Sequence, residues 1–188
     1  EKPISHFTGL KNEAPVSEPP VYRHLWQPTS DPEKFSLVPL LLGSFLVAFP
    51  ATIISTLLGV AVGIYLSEIA GVRTRELLKP CVELLAGIPT VVLGFFCLVV
   101  VASLVQDTLG THFRLNAFVG ALGVSLVIIP VIASLTEDAL RAVPNELREA
   151  SYGLGATRWD TISRVVLPAG VSGVAAAVIL GFGRALGE

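Results

Sequence analysis

The sequence predicts an all-α polytopic bundle of transmembrane helices, and two observations carry that prediction. Hydrophobic residues make up 52% of the chain and charged residues 15%, with a mean hydropathy of +0.71, whereas soluble domains usually contain about 25% charged residues. Four apolar runs also approach or exceed the roughly 20 residues that a helix needs to cross the hydrocarbon core. We place these four spanning helices at residues 37–66, 82–105, 117–135 and 169–188.

Residues 1–36 precede the first apolar run and form a separate predicted domain. They are rich in proline and carry scattered charges without a sustained apolar period, which is typical of an extended segment. Residues 37–188 form the membrane domain, interrupted by a long polar loop at 136–168. Because the chain starts without methionine and stops within helical-looking sequence, we expect it to be a fragment.

Small residues and prolines within the apolar runs indicate that the helices pack against one another. Ser55, Gly59 and Gly63 follow at intervals of four, which puts them on one helix face where a neighbouring helix can approach closely. Pro89 and Pro130 interrupt the backbone hydrogen bonds of their runs. In lipid the freed carbonyls need partners from neighbouring helices. The four helices are therefore predicted to form a bundle.

Basic residues predict the orientation of the chain in the membrane. Lysine and arginine are concentrated in the loops at 67–81 and 136–168, whereas the loop at 106–116 carries one arginine. Cytoplasmic loops carry the excess of such residues. We therefore place the first two loops in the cytoplasm, and the third loop and residues 1–36 outside.

A polar segment of twenty residues, Glu149–Pro168, joins the third and fourth runs, and we call it the connector. Pro144 lies just before it and suits the first turn of a helix, and apolar or small residues at 147, 150, 151 and 154 have helical spacing. Gly153 and Gly155 can adopt the left-handed backbone that ends a helix. This pattern predicts a short amphipathic helix followed by a glycine elbow.

The second half of the connector predicts another short helix. Thr157–Asp160 (TRWD) has the form of a capping box, and Trp159, Ile162 and Val166 follow on one side. Leu167–Pro168 is predicted to end this helix. We expect the whole connector to lie at the cytoplasmic membrane surface, with an apolar side embedded and a charged side presented.

The connector resembles the EAA loop of ABC-importer permeases. That loop reads EAA, three residues, G, nine residues, I, any residue, LP. Here Glu149, Ala150 and Ser151 stand for EAA, Gly155 follows after three residues, and Val165-Val166-Leu167-Pro168 follows after nine more. Ser151 and Val165 depart from the pattern but keep its small and aliphatic character.

The resemblance implies the type I ABC-importer permease fold and a role for the connector as the coupling helix that sits in a cleft of an ATPase subunit, one of a pair in the transporter. Glu149 is the expected contact, Gly155 the bend, and Arg158 and Arg164 contacts at the rim. The chain contains no G-x-x-x-x-G-K-[ST] phosphate loop. We therefore expect no cofactor in this chain, with ATP used by the partner subunit.

Further stretches are similar to the permease of the phosphate-specific ABC importer, and to its C-type more than to its A-type subunit. This resemblance implies phosphate as the ligand, a second homologous permease, an extracytoplasmic substrate-binding protein and a bacterial inner membrane. It also implies spanning helices on both sides of this chain. The stretches are LSEIAG at 66–71, ELLAGIPTVVLGFF at 83–96, the run at 134–159 and GRALGE at 183–188.

Arg184 is the candidate residue of the substrate pathway. Gly173, Ala177 and Gly181 precede it on one face of the last run, so we expect Arg184 to face protein. A guanidinium can bind two oxygens of an oxyanion at once, and Glu188 is four residues further on, where it can pair with Arg184. Arg184 could equally extend to the outer interface of the membrane.

Other function classes fit the sequence less well. A net charge of −2 without long runs of like charge does not indicate a nucleic-acid partner, and the histidines and cysteines lack the spacing of a metal site. No nucleophile–base pair or paired carboxylates indicate an enzyme. The alternatives are a permease for another oxyanion or an amino acid, and an ion-coupled secondary transporter.

Overall fold

The computed structural model describes residues 36–110 and 116–188, and all regular structure within these ranges is helical. Contacts divide the chain into two units, residues 1–43 and 44–188. The first unit is described only from residue 36, two residues before the first helix begins. The predicted extended segment at 1–36 therefore lies outside the described residues except for its last residue. The helix packing described below is that of the second unit.

Eight α-helices and three π-helical turns make up the described chain. Each π-helical turn continues directly from an α-helix, and two of them lead into the next α-helix without a break. In order the elements are α1 (Val38–Ile64), the first π-helical turn (Tyr65–Ile69), α2 (Val72–Ala86), α3 (Thr90–Phe96), the second π-helical turn (Cys97–Val101), α4 (Ala102–Leu109), α5 (Ala117–Arg141), α6 (Asn145–Gly153), α7 (Arg158–Thr161), the third π-helical turn (Ile162–Val166) and α8 (Leu167–Gly187).

Within residues 36–110 and 116–188, four helical runs are long and apolar enough to cross a membrane, which agrees with the four runs predicted in this part of the sequence. They cover Val38–Ile69, Thr90–Thr108, Ala117–Arg141 and Arg158–Gly187. The third run extends to Arg141, so the predicted loop at 136–168 begins with two turns of helix. Glu137 and Asp138 lie in the last two turns of α5, and the helix continues through them to Arg141.

The segment at 67–86 differs from the prediction. The predicted cytoplasmic loop at 67–81 is mostly helical, because α2 covers Val72–Ala86. The second spanning run starts at Thr90 instead of residue 82, since Gly87 ends α2 and Pro89 precedes α3. Proline cannot donate a backbone hydrogen bond, so Pro89 here separates two helices instead of interrupting one.

Helix α5 lies at the centre of the second unit, between the small-residue faces of α1 and α8. A Cβ on Gly59 would lie 2.9 Å from the Ile132 Cβ, and one on Gly181 would lie 2.7 Å from the Ile132 Cδ1. Real Cβ atoms do not approach neighbours so closely, so any larger residue at Gly59 would force the helices apart, whereas one at Gly181 would first displace the Ile132 side chain. Ser55 is also fully buried and donates a hydrogen bond to the Ser125 carbonyl at 3.1 Å. The predicted close packing on these faces is confirmed.

Leu167–Pro168 does not end a helix, which corrects the sequence prediction. The helical run continues from Arg158 to Gly187, with Pro168 in the first turn of α8. The third π-helical turn precedes it, so the backbone hydrogen bonds shift register just before the proline. A missing N–H is tolerated at the start of a helical segment. The chain therefore enters the spanning run directly from the connector.

Candidate functional site

Gly155 forms the elbow of the connector. Its φ is +84°, in the left-handed region that disfavours any residue with a Cβ. The Ala156 N–H donates to the Ser151 carbonyl at 3.2 Å, and the Gly155 N–H donates to the Tyr152 carbonyl at 2.9 Å. These two bonds form a Schellman motif, which satisfies the last carbonyls of α6. The predicted elbow at Gly155 is confirmed, whereas Gly153 is part of α6.

The helix after the elbow begins with the predicted cap. The Thr157 side chain accepts a hydrogen bond from the Asp160 N–H at 3.2 Å. Thr157 also contacts the Asp160 carboxylate. These bonds satisfy donors that every helix N-terminus leaves without a partner. The start of the second helix is therefore determined by residues within four positions of one another.

A buried hydrogen bond closes the connector across the elbow. The Ser151 and Thr161 hydroxyl oxygens are 2.9 Å apart, and both side chains are buried. Thr161 also donates to the Thr157 carbonyl at 3.1 Å. Ser151 is one of the two departures from the EAA pattern, and the hydroxyl that it introduces has a partner. The bond fixes α6 relative to α7.

One face of the connector packs on the bundle and the other is exposed. Ile162 and Val166 are buried, and Val166 packs against Leu140 at the end of α5. Trp159, predicted to lie beside them, is instead 67% exposed, because the Cβ atoms of a one-turn helix followed by a π-helical turn do not keep the 3.6-residue spacing. Glu149, Ala150, Gly155, Arg158 and Arg164 are exposed as well.

Large apolar side chains share this exposed surface. Leu154 is 91% exposed, and Leu147 and Tyr152 are also open to the surroundings. Such a patch on a short polar helix is typical of a protein-binding surface. An exposed apolar face is also what a segment at the membrane surface presents, so embedding of the connector's apolar side stays a prediction.

Two arginines tie the connector region to the end of the first spanning run. Arg148 Nη2 donates to Glu68 Oε1 at 2.9 Å and to the Leu140 carbonyl at 2.8 Å. Arg158, a predicted rim contact, donates to the backbone carbonyl of Glu68. Sequence analysis missed Glu68 and Arg148. Glu68 lies within LSEIAG at 66–71, but 80 positions separate it from Arg148, and no local sequence pattern links the two residues.

A second group of charges surrounds Glu137, which is fully buried at the end of α5. Arg75 Nε donates to Glu137 Oε1 at 2.7 Å, and Lys79 Nζ lies 3.2 Å from Glu137 Oε2. Lys79 also donates to Asp138 at 2.9 Å, and Arg141 is 3.8 Å from Glu137. The hydrogen bond that Lys79 donates to Asp138, together with the hydrogen bond to Glu137 and its charge, raises the pKa of Lys79 above its usual value of 10.5. Lys79 therefore joins α2 to the end of α5.

Arg184 and Glu188 form an ion pair at the end of α8, with 3.6 Å between Arg184 Nε and Glu188 Oε1. Ala177 and Gly181 pack on α5 as expected, but the Arg184 side chain is 37% exposed. Glu188 lines a cavity of 710 Å³ together with Thr90 of α3, Cys97 of the second π-helical turn and Asn116 at the start of α5. Arg184 and Glu188 are thus paired as predicted, but Arg184 is only partly buried against protein.

Within residues 36–110 and 116–188, no three histidine, cysteine or acidic side chains come together as metal ligands. Cys81 and Cys97 are not joined by a disulfide. His6, His24 and His112 lie outside the described residues.

Residues 59–188 match the model of one protein family, the binding-protein-dependent transport system inner membrane components. The matched region includes the elbow, the charged groups and α8. The chain belongs to this family. Its members are integral inner-membrane proteins, in agreement with the four helical runs that can span a membrane.

Named relatives fall within the same class of transport proteins. The probable ABC transporter permease protein YqgH of Bacillus subtilis is 39% identical over 87% of this chain and 53% of its own length. The phosphate transport system permease protein PstC of Mesorhizobium japonicum is 32% identical over 87% and 55%, and PstA 1 of Mycobacterium tuberculosis is 37% identical over 84% and 50%. Permeases of both the C and A types are thus among the relatives. The chain spans about half the length of these relatives.

The fold is shared with a solved transporter structure. An inward-facing structure of the MetNI methionine ABC transporter matches 80% of this chain and 70% of its own, with a TM-score of 0.70 and 24% sequence identity. Identity at this level establishes the fold and not the ligand. The predicted ABC permease fold is confirmed.

Proposed function

We propose that the chain is part of a permease subunit of an ATP-driven ABC importer and that inorganic phosphate is the transported ligand. Membership of the family and the named phosphate permeases support the proposal. The observation that carries it is the connector, whose Gly155 elbow, Thr157 cap and Ser151–Thr161 bond fix an exposed helix at the end of the bundle. A partner can bind such a surface without first ordering it.

The proposed partner of the connector is an ABC ATPase subunit, one of a pair. The exposed Leu154, Tyr152 and Trp159 supply apolar contact area, which is the main source of binding energy at protein interfaces. Glu149 adds a charge that selects the partner surface, and Arg158 and Arg164 lie at the edge of this surface. ATP is bound and hydrolysed by that partner, and a second homologous permease completes the translocation pathway.

The connector faces the cytoplasm in this proposal. Arg75 and Lys79 of the segment 67–81 contact Glu137 and Asp138 at the start of the segment 136–168. The two segments richest in basic residues thus lie on one side of the bundle, in support of the positive-inside orientation. The substrate-binding protein would then dock on the opposite, extracytoplasmic side, where residues 1–36 are also expected.

Arg184 and Glu188 are the proposed pathway residues. The Arg184 guanidinium is partly exposed beside a cavity that Glu188 lines. A phosphate oxyanion can bind a guanidinium through two parallel hydrogen bonds, and displacing the loosely held Glu188 would leave both donors available. In this proposal the pair opens as phosphate passes.

Reversing the charge of Glu149 tests the ATPase contact. We expect Glu149→Arg to leave the permease in the membrane but to reduce phosphate uptake by at least about tenfold, as for a lost charge pair at an interface. Co-purification of the ATPase with the permease measures the contact directly. Normal co-purification together with normal uptake in Glu149→Arg would contradict the role of Glu149 in the contact. Failure of the unaltered permease to co-purify with any ATPase would favour an ion-coupled secondary transporter, which requires no ATPase.

Arg184→Gln tests the ligand and the pathway together. We expect the complex to assemble but to lose phosphate uptake, since glutamine cannot supply a charged bidentate site. Competition of labelled phosphate uptake by sulfate, molybdate and amino acids separates phosphate from the alternative ligands. Normal uptake by Arg184→Gln would remove this residue from the pathway, and equal competition by another oxyanion would reassign the ligand.

A further inference from the structure

Glu68 contacts the connector region through both its side chain and its backbone. Its carboxylate binds the Arg148 guanidinium at 2.9 Å, with the two side chains only 8% and 15% exposed. Its carbonyl accepts a hydrogen bond from Arg158, beyond the elbow. Residues on both sides of Gly155 are therefore attached to a single residue at the end of the first spanning run.

Arg148 in turn joins three elements. Besides Glu68, it donates to the Leu140 carbonyl in the last turn of α5 at 2.8 Å and to the Val143 carbonyl just beyond that helix at 2.6 Å. Its own backbone belongs to α6. The planar guanidinium has five N–H donors in a fixed geometry, so one side chain can hold α6 against α5 and against Glu68 at the same time.

The backbone at Glu68 is itself irregular. Residues Tyr65–Ile69 form a π-helical turn in which the Ala70 N–H donates to the Tyr65 carbonyl at 2.8 Å. Such turns occur as local distortions in helices and are frequent at functional sites. The turn ends the first spanning run at the position where the connector is attached.

Separating a buried ion pair is costly, because each charge would lose its partner without regaining water. A displacement of α6 is therefore transferred to the end of α1 and the end of α5 instead of breaking the contacts between them. The ion pairs of Glu137 are separate from this pair. They join α2 to α5, and within the described residues none of them includes Arg148 or Arg158.

We propose that Glu68 and Arg148 are positioning residues that transmit displacement of α6 to α1 and α5, a role that rests on the proposed function of the connector. The pair is the path by which binding and release of the ATPase would move the spanning helices. Coupling between separate sites is typically about 5- to 150-fold in equilibrium terms. Loss of the pair should reduce transport for each ATP hydrolysed and not simply reduce the amount of complex.

The test uses the full-length permease assembled with its partner subunits in vesicles, with Glu68→Gln, Glu68→Asp and Arg148→Lys compared with the unaltered complex. ATP hydrolysis and uptake of labelled inorganic phosphate are measured on the same vesicles. We expect Glu68→Gln to lower the ratio of phosphate transported to ATP hydrolysed by at least about fivefold. Glu68→Asp keeps the charge, so its ratio should be higher than that of Glu68→Gln. The ratio of Arg148→Lys should lie between those of Glu68→Gln and Glu68→Asp.

Glu76→Gln is the matched control, because it removes a carboxylate that is exposed on the nearby α2. It should leave the ratio unchanged. An unchanged ratio in Glu68→Gln would overturn the proposal, as would failure of all three variants to assemble, which would show that the pair serves stability alone. Absence of ATP hydrolysis and phosphate uptake in the unaltered complex would instead contradict the proposed function, and the role of the pair with it.

Discussion

The two charged regions of this chain differ in how completely their charges are satisfied. At the connector end, Glu137 is fully buried with Arg75 at 2.7 Å, and Arg148 makes bonds to Glu68 and two carbonyls. At the far end of α8, Arg184 meets Glu188 at 3.6 Å and remains 37% exposed. The first region is held by several short bonds, the second by one long contact.

This difference separates structural charges from charges available to a ligand. A buried carboxylate whose hydrogen bonds are made within the protein cannot exchange partners without a large cost in free energy. A partly exposed pair contributes little to stability, so either member can turn to an incoming ion at small cost. The connector end is therefore suited to transmitting motion and the α8 end to binding.

Substitution of Glu137 should give the largest effect. We expect Glu137→Ala to lower the free energy of unfolding by about 3 kcal/mol, the lower part of the range for breaking a buried pair, because Arg75 and Lys79 can regain some water. Arg184→Gln should cost less than about 1 kcal/mol. Denaturant unfolding of both variants in the same detergent measures the difference, and equal losses would remove the distinction between the two regions.

Alanine substitutions at Gly153 and Gly155 distinguish the cost of backbone strain from the cost of lost contacts. Gly155→Ala should lower stability by about 1–2 kcal/mol, the cost of a left-handed conformation for a residue with a Cβ, although no atom lies within 4 Å of the added methyl. Gly153→Ala is the control, since Gly153 also has open space but is helical, and it should be stabilising by about 0.5–1 kcal/mol. Thermal unfolding of the two variants reports the sign of each change, and a stabilising Gly155→Ala would show that the elbow carries no strain.

The smallest expected effect is the pH dependence from Lys79. Its pKa is raised in the folded state by Asp138 and Glu137, so its contribution is fully present below 10.5 and is lost as pH rises through the folded pKa. The free energies of unfolding of the unaltered chain and of Lys79→Gln should therefore differ at neutral pH and converge only above the raised pKa of Lys79. A difference that persists at high pH would show that Lys79 acts through packing and not through its charge.

Local features of the connector could be predicted from sequence, but its outer face could not. The Gly155 elbow and the Thr157 cap depend on residues within four positions of each other, so their chemistry appears directly in the sequence. Trp159 was placed on the wrong side because the third π-helical turn alters the helical spacing after it. Pro168 was expected to end a helix for the same reason, since the register shift before it is not visible in the sequence.

The sequence by itself determined the four spanning runs, the elbow and the cap, because hydropathy and short-range hydrogen bonds act over one helix or one turn. Only the tertiary structure decided which charges are structural. Arg75 meets Glu137 across 62 positions and Arg148 meets Glu68 across 80, and such pairs form only after α1, α2 and α6 have packed on α5. Burial then makes these contacts costly to break, whereas the neighbouring Arg184 and Glu188 could be paired from their spacing alone.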